Sequence, residues 1–371
     1  MVVESVDVVV VGGGVAGLAT AWRLAERGAR RVLLVEAELL FASHASARNA
    51  AIWLPHEADA TTAAAARRSA ELLDGLLGPW RWRAPVPAWL TASAAETLQA
   101  PVQVAERAGL TVEPIVARAD RVPDALLEAA PPLRGGVVRA GARVHGAAVM
   151  DVHAMVEAIA RAARRAGAEL RRAAAAVRIE RDERERPVVR LAGGGAVVCE
   201  RVVLATGAWA SEADRLAGVG RPLRPLRRHL VVLQWPGHER LPLLWHLGEG
   251  QLYVRPETGG LLCSPCDEEP WPAGAPPTAE DVAERVAERI VPVLPGLAEA
   301  RARRSWACLR TFAPDRELVL GPEPAWPRLW WNVGHGGRGM TVAVGAADWL
   351  AEALLGDVPL PEAVLPGRLF A

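Results

Sequence analysis

Residues 8–17 read VVVVGGGVAG, and the fold turns on how that run is understood. Val6–Val11 is apolar apart from Asp7, which suits a parallel strand buried on both faces. Gly12, Gly14 and Gly17 complete G-x-G-x-x-G. From Val15 to Arg27 the pattern becomes helical, with Leu18, Trp22 and Leu24 on one face, and Gly28 stands where a helix-ending glycine belongs. Arg31–Glu36 is a second apolar strand that ends in a carboxylate. A tight turn at Gly12, close approach of a pyrophosphate at Gly14 and close helix–strand packing at Gly17 account for the three glycines. Val15 and Ala16 open a helix whose free N–H groups and partial positive charge favour phosphate. Glu36, followed by Ala37, is placed to accept hydrogen bonds from a ribose diol, and its charge disfavours a 2′-phosphate. The expected ligand is therefore FAD or NAD, not NADP.

The chain has 371 residues, enough for two lobes. Its 43 basic residues balance its 43 acidic ones, so it lacks the basic excess of a nucleic-acid or acidic-membrane binder. Four cysteines do not make a disulfide scaffold, and the lone C-x-x-C, Cys263–Cys266, has no second pair with which to bind zinc. No signal-like segment and no apolar run of membrane-spanning length is evident, and a cytoplasmic setting is expected.

Residues 42–51, ASHASARNAA, read as a loop near a phosphate, with Ser46, Arg48 and Asn49 as contacts. An alanine-rich helix is expected over 62–77, and Pro79–Pro87 breaks it, crossing into a second lobe. Residues 118–136 read as irregular. Asp151 is an N-cap for a helix over Val152–Arg165. Strands follow over 168–180, 187–191 and 196–206, the last ending at Thr206-Gly207, a small pair suited to a ligand crossing the sheet edge. Residues 222–235 and 251–264 read as antiparallel strands, 278–291 as an amphipathic helix and Trp330–Val333 as a strand. The stretch 334–340, GHGGRGM, is a second glycine turn, and 341–356 is a helix closed by Gly356.

The phrases VVVVGGGVAGLATAWRLAERGARRVLLVE, HASARNAA, VVLATGAWA, WACLRTFAPDRELVLG and GHGGRGMTVAVGAA, in that order, resemble the D-amino acid oxidase superfamily of FAD-dependent oxidoreductases. Within it the likeness is greatest to the D-amino acid dehydrogenase, glycine oxidase and sarcosine oxidase group. The resemblance implies an α/β fold: a Rossmann-like FAD-binding domain from separated segments (1–85, 137–221, 305–371) and an antiparallel-sheet substrate domain (86–136, 222–304). It implies FAD as cofactor and a small amino acid or amine as partner. It adds Val177, Gly334, Gly336, Gly337, Arg338, Gly339, Met340 and Thr341 as cofactor contacts, with the last helix's N-terminus stabilising charge on the flavin.

The chemistry so implied is oxidation of the Cα–N bond of a D-amino acid or N-substituted glycine by hydride transfer to flavin N5, the imine hydrolysing to a 2-oxo acid. It requires a carboxylate clamp. Arg310 in CLRTF matches the family's guanidinium for that role, which binds through two parallel hydrogen bonds. Tyr253, the chain's one tyrosine, is a second candidate. Arg227 is the third, with Arg228 as its alternative because strand alternation lets one of the two face the site. Cys308 matches the cysteine that joins covalently to flavin in the sarcosine oxidase type; the ordinary alternative is a buried thiol. Ile52, Trp53 and Leu54 replace polar groups of the D-arginine dehydrogenase type, which argues against D-arginine as substrate. Trp53, Trp89 and Trp245 are candidates for an apolar wall. Two other classes stay open, an NAD(P)H-using flavin monooxygenase or reductase and a flavin-binding subunit without turnover of its own.

Overall fold

Val3–Val11 forms the centre of the first sheet in a computed structural model describing residues 3–56, 60–115, 121–356 and 358–370. It lies parallel to Ala196–Leu204 on one side and Val32–Val35 on the other. Glu169–Arg171 extends the sheet beyond Val32–Val35, and Trp326–Val333 runs parallel to the end of Ala196–Leu204. Both faces are covered over its second half, so Val8–Val11 is buried without alternation, as the valine run predicts, while Ser5 in its first half is exposed.

The helices Val15–Glu26, Ala60–Leu77 and Gly339–Leu355 pack on one face of this sheet. Their contacts are built from small residues. A Cβ on Gly345 would stand 2.2 Å from the carbonyl oxygen of Ala65, so glycine is what lets the last helix approach the alanine-rich one. At the same junction Asp348, 0% exposed, receives Arg23 at 2.7 Å, Arg27 at 2.9 Å and Arg68 at 2.8 Å. Val152–Arg165 packs nearby, and Asp151 caps it as expected, its Oδ1 accepting from Ala154 N at 2.9 Å.

The second sheet has nine strands among the described residues. Arg224–Gln234 is its longest-paired member, antiparallel to Arg301–Phe312 on one edge and to Gly260–Ser264 on the other. The order continues through Leu252–Glu257, Leu243–Leu247, Ala88–Ala92, Ala140–His145 and Thr111–Ile115. All neighbours are antiparallel except Leu243–Leu247 beside Ala88–Ala92. Ala140–His145 and much of Arg301–Phe312 lie across the segment boundaries expected at 137 and 305: both strands are held by hydrogen-bond ladders to the roofing sheet, not to the first one. Residues 121–136 are not wholly irregular. Asp124–Ala129 is a short helix that seats Leu126, 0% exposed, against the second sheet's outer face. Residues 118–120 of that stretch lie outside the described residues. No helix among the described residues is long and apolar enough to cross a membrane.

Candidate active site

The C-terminal ends of the parallel strands open on a cavity of about 480 Å3 that reaches under the second sheet. Its floor is the first glycine turn. Gly12 has φ +108°, and a Cβ on Gly17 would stand 1.8 Å from the Gly12 carbonyl oxygen. Gly17 therefore faces the turn and not the cavity, acting by letting helix Val15–Glu26 meet its strand. Gly12, Gly14, Val15 and Ala16 line the cavity itself. Gly17→Ala should forfeit FAD binding while leaving most of the helical signal, read by flavin content after purification and by far-UV circular dichroism.

Glu36 and Ala37 line the same cavity. The Glu36 carboxylate already accepts from Gly13 N at 2.5 Å and from Glu38 N at 2.8 Å, so it fixes the glycine loop as well as offering remaining lone pairs to a diol. Ser46 Oγ accepts from Val15 N at 3.1 Å and so caps the helix N-terminus from across the loop. Asn49 is locked by bonds to Ser46 O and from Ala51 N. Arg48, exposed, and Val177 sit on the same wall.

Thr206 Oγ1, Asn332 Oδ1 and His335 Nε2 are buried on this wall without a hydrogen-bond partner. Orphaned buried polar atoms around a glycine-floored cavity fit a large polar ligand that would satisfy them. Gly207, Gly334, Gly336, Gly337, Gly339 and Met340 complete that side. Burial, then the charge of Arg338, pushes the His335 imidazole down to about 4, so it is uncharged at neutral pH. Arg338 and Thr341 turn from the large cavity toward a smaller one: Arg338 donates to Thr62 Oγ1 at 3.3 Å and to Arg316 O, and Thr341 Oγ1 donates to Arg338 O.

That smaller cavity, about 50 Å3, shares Asn49, Arg310, Gly337 and Met340 with the large one. Arg310 stands at the junction, 8% exposed, with Nη2 at 3.5 Å from Tyr253 Oη and Nη1 at 3.5 Å from Cys308 Sγ. Burial raises the pKa of the Tyr253 hydroxyl and the Arg310 charge opposes it, so the phenol is a neutral donor beside a cation. Ile52, Leu54 and Trp245 give the apolar part of the wall. Trp245 is the one member of the expected tryptophan set to reach it, packed against Tyr253 with centroids 4.7 Å apart and against His56 at 4.2 Å. Trp53 instead stacks edge-on to Trp82 in the core, and Trp89 is buried on the sheet's outer side.

Arg227 is not in the site. The register places it opposite Leu309, on the face away from Arg310, where it bonds Glu269 at 2.6 Å and Pro277 O and stacks on Trp271. Arg228, opposite Cys308, faces the small cavity. His56 is a further lining residue that sequence reasoning missed, since it belongs to no motif and arrives through the turn after Ile52–Trp53. Cys263 of the C-x-x-C points into the core, its thiol pKa raised by burial and its Sγ 3.3 Å from Val231 O.

The family model described as FAD dependent oxidoreductase matches residues 7–353. Among curated proteins, a glycine oxidase of Pseudomonas putida is 29% identical over 168 residues, 45% of this chain and 44% of that one. A D-amino acid dehydrogenase of Methylobacterium nodulans is 25% identical over 234 residues, 61% of this chain and 53% of that one. The chain thus spans about half the length of these relatives. Among solved structures, L-proline dehydrogenase from P. horikoshii superposes with a TM-score of 0.85 at 21% identity, covering 99% of this chain and 98% of that one. Glycine oxidase from Bacillus cereus superposes at 0.75 with 21% identity, covering 95% and 96%. These last two likenesses speak to the fold.

Proposed function

We propose, from the premise that the chain belongs to the FAD-dependent oxidoreductase family whose model spans residues 7–353, that it oxidises the Cα–N bond of a small amino acid with an apolar side chain, a D-amino acid or an N-substituted glycine. The observation that carries this reading is the guanidinium of Arg310 beside the Tyr253 hydroxyl at the junction of the two cavities. When bound in the larger cavity, held by the glycine turns, Glu36, Thr206 and His335, FAD supplies the acceptor for the electron pair. Arg310 binds the substrate carboxylate through its planar fork, which fixes orientation as well as affinity. Tyr253 donates to the same carboxylate as a neutral phenol. Ile52, Leu54 and Trp245 exclude water and admit an apolar side chain. No acidic residue lines the small cavity among the described residues, which disfavours a cationic side chain such as that of arginine.

The test is anaerobic mixing of the holoprotein with D-, L- and N-methyl amino acids. Bleaching of the flavin band by small apolar members, with none by D-arginine, is the expected result. Bleaching by NADPH alone removes the reading. Cys308 also opens on the large cavity, and the thioether link suggested by the sarcosine oxidase likeness has its own readout. Acid precipitation leaves a yellow pellet if the link exists and a yellow supernatant if it does not.

A further inference from the structure

Residues 265–281 run as a strap from strand Gly260–Ser264 to helix Val282–Val293. Gly274, Ala275 and Pro276 of the strap line the large cavity. Its start carries three consecutive acids, Asp267, Glu268 and Glu269, and these meet three consecutive residues of strand Arg224–Gln234, Arg227, Arg228 and His229. Alternation divides the partners. Glu269 takes Arg227 on the face turned from the site, and Glu268 takes Arg228 on the site's face, Nη2 to Oε1 at 2.8 Å. Asp267 adds a backbone acceptor for Arg228 Nε at 3.1 Å and holds His229 by both its N–H and its ring.

Arg228 and Arg310 are diagonal neighbours on one face, since Arg228 opposes Cys308 and Arg310 opposes Leu226. Both line the small cavity together with Tyr253. Two guanidinium groups so close repel each other, and each bond to Arg228 removes some of its freedom to turn away. Glu268 is shared by two guanidinium groups: it accepts from Arg228 and from Arg316 Nη1 at 3.1 Å, and it feels the charge of Arg310. Burial alone would raise its pKa, but Arg316, Arg228 and Arg310 together hold it below the usual carboxylate range.

We propose that Glu268 is a positioning residue that fixes the Arg228 guanidinium on the small cavity, so that a substrate carboxylate is bound by Arg228 together with Arg310 and through Glu268 is tied to the strap over the large cavity. This rests on the carboxylate-clamp reading above. Arg228 keeps Nη1 for the substrate while Nε and Nη2 are anchored to the strap, a division that a planar fork permits and an ammonium does not.

The experiment titrates acetate into FAD-loaded protein and reads the perturbation of the flavin absorption band, which needs no turnover. Glu268→Gln should weaken acetate binding by about tenfold, the scale of losing one charge-assisted anchor. Glu269→Gln removes the strap's neighbouring ion pair, to Arg227 on the opposite face, and should leave the affinity within about twofold. Equal weakening in both variants overturns the proposal, because the acids then only hold the strap, and so does an unchanged affinity in Glu268→Gln. If Glu268→Gln does not retain FAD, Glu268→Asp is read instead: its shortened carboxylate draws Arg228 back, and weakening beyond that of Glu269→Gln supports the proposal while none overturns it. An absence of any acetate response in the unsubstituted protein is a different failure, that of the carboxylate clamp itself.

Discussion

Under the proposed function, Arg310→Met should lower kcat/KM for an amino acid by about a thousandfold, at the upper part of the 2–5 kcal/mol expected when one partner of a buried, hydrogen-bonded charge pair is removed. The side chain is 8% exposed and stands where the two cavities meet, so its bond to a carboxylate is poorly screened. Methionine keeps much of the volume and leaves Tyr253 packed against Trp245, so the change is one of charge and donors. Flavin content should be unchanged, because the glycine turns and Glu36, proposed to hold FAD, line parts of the large cavity that this substitution does not touch. Arg310→Lys restores charge without the fork and should recover about tenfold of the loss. The measurement is steady-state kinetics on the best substrate of the anaerobic screen, with flavin content of each variant determined alongside. A variant within threefold of the unsubstituted protein would place the clamp elsewhere.

The parts of the fold that a local pattern specifies were legible. The strand–glycine–helix start, the Asp151 cap, and the last helix with its closing Gly356 each carry their signal within a few residues. Strand Arg301–Phe312 is different. Its first half reads Arg-Ala-Arg-Arg-Ser and is exposed at a sheet edge, so neither alternation nor an apolar run marks it; it is a strand because Arg224–Gln234 pairs along its whole length. The same pairing decides the choice between Arg227 and Arg228. Alternation says that they face opposite ways, and only the register, with Leu309 opposite one and Cys308 opposite the other, says which way each faces. Glu36 was legible as an acid at a strand end, but its bonds to the backbone of Gly13 and Glu38 come from the closeness of two loops far apart in sequence. His56 and the three-arginine cage of Asp348 are wholly tertiary and leave no local mark.

That cage sets the largest expected effect on stability. Asp348→Ala should destabilise the protein by about 3 kcal/mol, the low end of the range for stranding buried charges. The low end applies because each of the three arginines keeps a second partner of its own: Arg27 bonds Glu352 at 2.5 Å, Arg68 lies 3.3 Å from Glu71 and Arg23 reaches Glu26. All three lose the acceptor of their Nε, and Arg23, 7% exposed, is the one least able to replace it with water. The loss spreads to the ligand, since Asp348 joins helices Val15–Glu26 and Gly339–Leu355, whose N-termini both face the large cavity. The apoprotein should therefore show the full drop in thermal midpoint, and excess FAD should recover part of it by mass action. The pH dependence has a definite sign. Burial alone would raise the Asp348 pKa, but the bonds from Arg27 and Arg68 and the charge of Arg23 outweigh it and hold it below the usual value. A depressed folded-state pKa means stability that is present in full above the unfolded carboxylate pKa of about 3.9 and is lost as pH falls through the folded-state value. The gap between the two proteins should thus be constant at neutral pH and narrow only in acid, in denaturant titrations run at a series of pH values. A gap that closes between pH 8 and 6 would mean that some other group, not this carboxylate, carries the difference.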